Sequence, residues 1–326
     1  MHRRNSVKFA ITTLLSLLVF SANAQDANSY PSKPIRIIVN FPPGGTVDVM
    51  TRGVAQKLTE KWGQAVVVDN RPGAGGNIGA QAVASAEPDG YTLLATPPGP
   101  MTINQYLYKD MRFDPAKLSS VIMMASVPNA IAARIDFPAN NVKELIAYTK
   151  ANPGKVSFGS QGNGSTSHLT GQMFATMVGS DMMHIPFKGE GPALTEILGG
   201  RVDLFLGNIS AVLKLYQNKQ IKLLGVASPK RSPMANEIPA PQEFGMPDFV
   251  ASAWFAIAAP PGTPAPIVNK LNAAILEALK LPDTQQKMAA LGGEVVGGSP
   301  ADMTTMVIAE RARWKKVIET ANVKLD

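Results

Sequence analysis

Short apolar runs rich in valine, isoleucine and leucine recur along this chain, and most are followed by a glycine- or proline-marked turn and a stretch with helical spacing. That alternation makes a mainly parallel sheet covered by helices on both faces, so the fold class is α/β. In the first part the strand-like runs lie at 35–40, 65–69 and 91–96. Between the first two, Val47, Met50, Val54, Leu58 and Trp62 fall at three- and four-residue spacing, which puts them on the core face of one helix.

A second series begins near Ile131, with strands expected at 156–159, 182–186, 202–206 and 221–228. A helix over 141–151 is closed by Asn152, Pro153 and Gly154. An apolar strand at 253–259 and the proline-rich 260–266 precede three helical stretches, 267–279, 282–291 and 300–317. Proline-marked breaks near Pro128 and again near 249–253 suggest that the chain crosses twice between two lobes. Lobe 1 is expected from 25–127 and 253–326, with the helical tail packed back on it, and lobe 2 from 128–252. The cleft between them is the natural ligand position.

Residues 1–24 have the layout of an export signal. Arg3, Arg4 and Lys8 precede an apolar core at 9–20, and Ala22, Asn23 and Ala24 offer small residues before cleavage after Ala24. The core is shorter than the roughly 17 to 25 residues of a spanning helix, so a soluble, exported product is expected. Cysteine is absent, which removes disulfides, thiolate ligands, a cysteine nucleophile and a lipidated cysteine. The formal net charge of +7 includes the basic residues of the signal, and the rest is spread without interleaved aromatics, so no nucleic-acid partner is expected.

Catalytic arrangements are poorly supplied. Beyond the signal the only histidines are His168 and His184, neither in an HxxxH or HExxH spacing, so no metal or other cofactor is expected. There is no GxSxG elbow. The alternative to binding is an exported hydrolase that uses a loop serine with His168.

FPPGGTVD (41–48) follows the first strand and opens a helix, without the GK[ST] of a phosphate loop or the GxGxxG of a dinucleotide loop. Gly44 and Gly45 let a ligand approach the backbone, and the free N–H groups of the helix start favour an anion. One such end contributes about 0.3 to 2 kcal/mol, whereas micromolar binding needs about 8 kcal/mol. SQGNGSTSHL (160–169) is a matching glycine-rich turn in the second series, and both turns fall at carboxyl ends of strands. The expected ligand is a small carboxylate held by neutral donors and helix ends. Three further stretches sit at comparable places: NRPGAGGNIGA (70–80), where Asp69 or Asp89 competes for Arg71, PFKGEGPAL (186–194) and the proline-rich TPPGPMTIN (96–104), a candidate cleft wall.

Together with YPSKPIRIIVNFPPGGTVD (30–48), VVVDNRPGAGGNIGA (66–80), PDGYTLL (88–94), GSQGNGSTSHLTG (159–171), HIPFKGEGPALTEILGGRVDL (184–204) and WFAIAAPPGTPAPIVNKLN (254–272), these motifs resemble the Bug-type periplasmic solute-binding receptors of tripartite tricarboxylate transporters. The resemblance covers the whole mature chain. It implies a two-lobed, hinged periplasmic binding protein of type II-like fold. It also implies a small organic acid as ligand (a carboxylate, amino acid or aromatic acid) and delivery to a membrane transporter or sensor; no enzymatic activity and a monomeric state are expected. Carried over by motif, the ligand residues are Pro43, Gly44, Gly45 and Asp48 from lobe 1 and Ser160, Gly162, Asn163, Gly164 and Ser165 from lobe 2, followed by Thr96, Lys188 and Asn208. Asn40, where proline is expected, and Glu196, where aspartate is usual, depart from the pattern. Asp48 is open between two roles, complementing the helix start or accepting a hydrogen bond from an amine or amide of the solute.

Overall fold

The computed structural model describes residues 29–325, so the expected signal at 1–24 lies outside the described residues. Strand β1 (Ile35–Val39) runs parallel between β2 (Val66–Asn70) and β3 (Thr92–Thr96). Alternation along β1 explains its apolar sequence: Ile35, Ile37 and Val39 enter one packed group and Ile38 enters the group on the opposite face. Helix α1 (Thr46–Trp62) lays Val47, Met50, Val54 and Leu58 into the first of these groups, as its periodicity predicts, and stops at left-handed Gly63.

Helix α2 (Asn77–Ala84) follows the glycine-rich 73–76. A Cβ on Gly79 would lie 2.7 Å from Asn40 Cβ, so this glycine lets the helix press on the end of β1. Arg71 is paired with Asp69 at 2.9 Å. The stretch is therefore a close-packing element and not an anion loop.

The longest strand, β4 (Ser119–Arg134), belongs to both halves of the molecule. Its first part pairs antiparallel with β9 (Ser252–Ala259) as far as Pro128, and from Asn129 it pairs with β7 (Leu204–Asn208) and β8 (Ile221–Val226). The second series was expected to begin near Ile131. The proline reads as a terminator, yet it sits where the strand changes partners. Next to it the chain returns: Asn129 N–H donates to Ala251 O at 3.0 Å, and Ala251 N–H donates to Ala227 O at 2.8 Å. These adjacent crossings form the hinge of a two-lobed α/β fold.

In the second lobe β5 (Ser157–Ser160) lies parallel between β6 (Met183–Pro186) and β7. Helices α3 (Val142–Ala151), α4 (Thr166–Val178), α5 (Glu190–Leu198) and α6 (Ile209–Gln217) connect and cover these strands. The tail supplies α7 (Ala265–Lys280), α8 (Pro282–Ala290), α9 (Pro300–Thr320) and a short strand not foreseen, β10 (Glu294–Gly297), antiparallel to β4. Helix α9 does not stay with one lobe. Met303 and Val307 pack with Ile38 and Trp254, whereas Trp314 and Ile318 pack with Phe174 and Phe249 of the second lobe. The proline-rich loop expected at 96–104 contains a π-helical turn (Gly99–Ile103), followed by a 3-10 turn (Asn104–Tyr106). No helix among the described residues is long and apolar enough to cross a membrane.

Candidate functional site

The turn after β1 and the second lobe flank a cavity of about 330 Å³ that opens to solvent. Pro43, Gly44 and Gly45 line it from one side, and Gln161, Glu190 and Asn208 from the other. Gly44 has φ +81° with nothing near its would-be Cβ, so the requirement for glycine is conformational. Three helices start at this cavity: α1 after Gly45, α5 after Gly189 and α6 after Asn208. None is capped by the side chain of its own N-cap residue, so their positive ends face the same space, with the Thr46 N–H of α1 taken by Glu190. Among the described residues no lysine or arginine lines it.

Glu190 is the charged group of this cavity. Its Oε2 accepts the Thr46 N–H at 3.1 Å, and its Oε1 accepts from Thr46 Oγ1 at 2.9 Å, Gln161 Nε2 at 2.8 Å and Asn208 Nδ2 at 2.6 Å. Thr46 Oγ1 also lies 2.7 Å from Ser210 Oγ. Burial pushes the Glu190 pKa up, against the opposing hydrogen bonds from Thr46 and Asn208. One carboxylate thus joins the first helix turn of lobe 1 to two amides of lobe 2.

Asp48 faces the other way. Only 3 % exposed, it accepts from Gly44 N–H at 2.9 Å, Asn70 Nδ2 at 2.9 Å and Arg52 Nε at 3.0 Å. Burial works to raise its pKa, but the hydrogen bonds from Arg52, Gly44 and Asn70 outweigh it and hold the pKa below the ordinary aspartate value. Asp48 therefore organises the glycine turn from behind. Asn40 donates to Thr96 Oγ1 at 2.9 Å and to Gly76 O at 3.1 Å, which leaves Thr96 buried behind the cavity wall that Pro97 provides.

The second-lobe turn divides its tasks. Gln161 reaches the cavity, while Ser160, Gly162, Asn163, Gly164 and Ser165 do not line it. Ser165 caps α4, accepting the His168 N–H at 3.2 Å and donating to Gly162 O at 2.6 Å. Asn163 O accepts from Tyr108 of lobe 1 at 3.0 Å, and a Cβ on Gly164 would stand 2.1 Å from Asn104 Oδ1. This turn therefore packs against Asn104 and Tyr108. Lys188 is exposed and outside the cavity lining. Glu196 pairs with Arg201 on the surface.

A hydrolase arrangement is not assembled. The His168 ring stacks on His184 at 3.9 Å between centroids, and burial with the neighbouring His184 drives its pKa down to about 3. Ser160 Oγ lies 2.7 Å from His184 Nε2, but Ser160 is wholly buried, burial takes His184 down to about 4, and neither residue lines the cavity. The residues missed by sequence reasoning are Gln161, Glu190 and Thr46. Gln161 lies inside the quoted turn, and Glu190 reads as an acidic residue in a helix first turn, a position usually explained by the helix alone.

A profile described as "Tripartite tricarboxylate transporter family receptor" matches residues 50–323. The chain belongs to this family. The tripartite tricarboxylate receptors are periplasmic solute-binding proteins, which agrees with a cavity between two hinged lobes. Among relatives of this receptor, protein BugT of Bordetella pertussis is 37 % identical over 323 residues, 97 % of this chain and 99 % of BugT. An R. palustris protein solved with adipate superposes with a TM-score of 0.88 at 38 % identity, covering 91 % of this chain and all of its own. MatC from Rhodopseudomonas palustris, with bound malate, gives 0.84 at 30 % identity, covering 89 % of this chain and all of its own.

Proposed function

We propose that this receptor captures a small organic acid between its lobes and presents it to a tripartite tricarboxylate-type transporter or a sensor, as a monomer and without chemical turnover. The observation that carries this reading is the convergence of three helix starts on one cavity between the lobes with no basic side chain in its lining. Neutral donors and helix ends hold an anion while allowing its release. Adipate and malate in the two R. palustris relatives support a carboxylate as the ligand class.

In this reading residues 1–24 are the export signal, cleaved after Ala24. Lobe 1 comprises 25–127 and 253–326, lobe 2 comprises 128–252, and α9 straps both. Pro43, Gly44, Gly45 and Asn208 contact the solute. Asp48 and Thr96 shape lobe 1 around it, while Ser160, Gly162, Asn163, Gly164 and Ser165 form the seam that closes over it. Lys188 is a surface lysine at the mouth. The solute favours the closed state because both lobes contact it only there.

The test is calorimetry and thermal denaturation of the mature protein with carboxylates, hydroxy acids, amino acids and aromatic acids. A ligand at a hundredfold excess over its Kd stabilises by about 2.7 kcal/mol, which for a chain of this size raises the melting temperature by about 4 to 5 °C. Native mass spectrometry of the purified protein gives a second readout, the mass of a retained solute. No heat and no shift across the whole panel would overturn the reading.

A further inference from the structure

The cavity contains a carboxylate of its own, and this decides which acids suit it. Glu190 takes the Thr46 N–H and three side-chain donors, the groups that a solute carboxylate at that end of the cavity would need. An independent observation points the same way. Asn208, 1 % exposed and lining the cavity, must aim Nδ2 at Glu190 because a carboxylate only accepts, and its Oδ1 is left without a partner among the described residues. No basic side chain in the cavity lining compensates Glu190. Glu190 already accepts from four donors, so the acceptor this end still offers a solute is Asn208 Oδ1, beside a buried carboxylate and with no cation in the lining.

We propose that Glu190 is the specificity-determining residue of this receptor, selecting acids that carry a hydrogen-bond donor (an ammonium, amide or hydroxyl group) at the Glu190 end over plain dicarboxylates. The donor meets Asn208 Oδ1 beside the Glu190 carboxylate, and the solute's single carboxylate lies toward the remaining helix starts. A second solute carboxylate there would face Glu190 as a like charge in a poorly solvated site, which disfavours it.

This inference rests on the receptor reading, and its test separates the two. Calorimetry compares dicarboxylates of four to six carbons with the monocarboxylates in which one carboxylate is replaced by an aminomethyl or hydroxymethyl group. Wild type is expected to prefer the donor-bearing acid by about tenfold or more. Glu190→Gln and Glu190→Gly are both made, so that one misfolded variant does not remove the comparison, and each is expected to shift the preference to the dicarboxylate. Tighter binding of dicarboxylates by wild type, or the same preference in wild type and the variants, overturns the inference while leaving the receptor reading intact. Absence of binding by every acid to every protein overturns both.

Discussion

Thr46 and Glu190, 144 residues apart in the chain, meet across the cleft, where the Thr46 N–H and hydroxyl both donate to the Glu190 carboxylate, the N–H at 3.1 Å. The contact joins the first turn of α1 in lobe 1 to the first turn of α5 in lobe 2. It places a buried negative charge where two helix ends can partly compensate it. Bonds of this kind to a charged group contribute about 1.5 to 3 kcal/mol, and a partner removed from one side leaves the other unsatisfied.

Thr46→Val removes the hydroxyl that binds Glu190 and Ser210 while keeping the shape of the side chain. The ligand-free protein is expected to lose about 1 to 3 kcal/mol of unfolding free energy. Denaturant unfolding checks this, and Thr46→Ser, which retains the hydroxyl, should recover most of the loss. An unchanged midpoint for Thr46→Val would show that the inter-lobe contact contributes nothing to stability.

Asp48→Ala removes the acceptor that holds Gly44 N–H, Asn70 and Arg52 together. Because the carboxylate faces away from the cavity, the variant is expected to weaken all solutes by a similar factor, without distinguishing amines from dicarboxylates. Its pKa lies below the ordinary value, so the stability it contributes is present above about pH 4 and is lost as pH falls through the lowered pKa. Titration calorimetry with an amino acid and a dicarboxylate decides the point; a selective loss of the amino acid would place Asp48 on the solute.

Gly164→Ala tests closure. The added Cβ would meet Asn104 Oδ1 at 2.1 Å, at a residue whose φ of +76° already disfavours a side chain. Solute affinity is expected to fall by about tenfold or more, since the closed state is destabilised by at least about 1.4 kcal/mol. Small-angle scattering should then find the variant more open than wild type at the same solute concentration, and equal radii would contradict the role of this seam.

The stacked His168 and His184 give an acid-sensitive step. Their pKa values drop from 6.5 to about 3 and about 4, so between these limits the unfolded chain binds more protons than the folded one. Stability therefore falls as pH drops below about 6.5, with a slope approaching about 1.4 kcal/mol per pH unit for each histidine. Melting temperatures of wild type and His168→Phe, measured from pH 7 to 4, should diverge as the pH falls. Parallel curves would mean that these rings do not carry the acid response.

Much of the fold was legible because the signals are local. The spacing of Val47, Met50, Val54 and Leu58 follows from one helix facing one core, and Ile35, Ile37 and Val39 alternate because a strand does. Pro128 was legible as a break between the lobes but not as part of a strand, since whether a proline interrupts a ladder depends on which partner lies beside it. The three-residue pairing in β10 is too short to announce itself. Trp314 lies in the helical stretch expected at 300–317, yet the lobe it enters depends on where α9 lies across both.

The site divides in the same way. The sequence by itself determined that glycine turns end strands and open helices at 41–48 and 160–169, because backbone freedom and capping are properties of neighbouring residues. Only the tertiary structure decided which groups face the solute. Asp48 turns inward to Gly44, Asn70 and Arg52, Ser165 is consumed as a cap, and Glu190 arrives at Thr46 from the opposite lobe. The physical reason is that a carboxylate's role is set by the donors within about 3 Å of it. Folding, not proximity in sequence, brings those donors together.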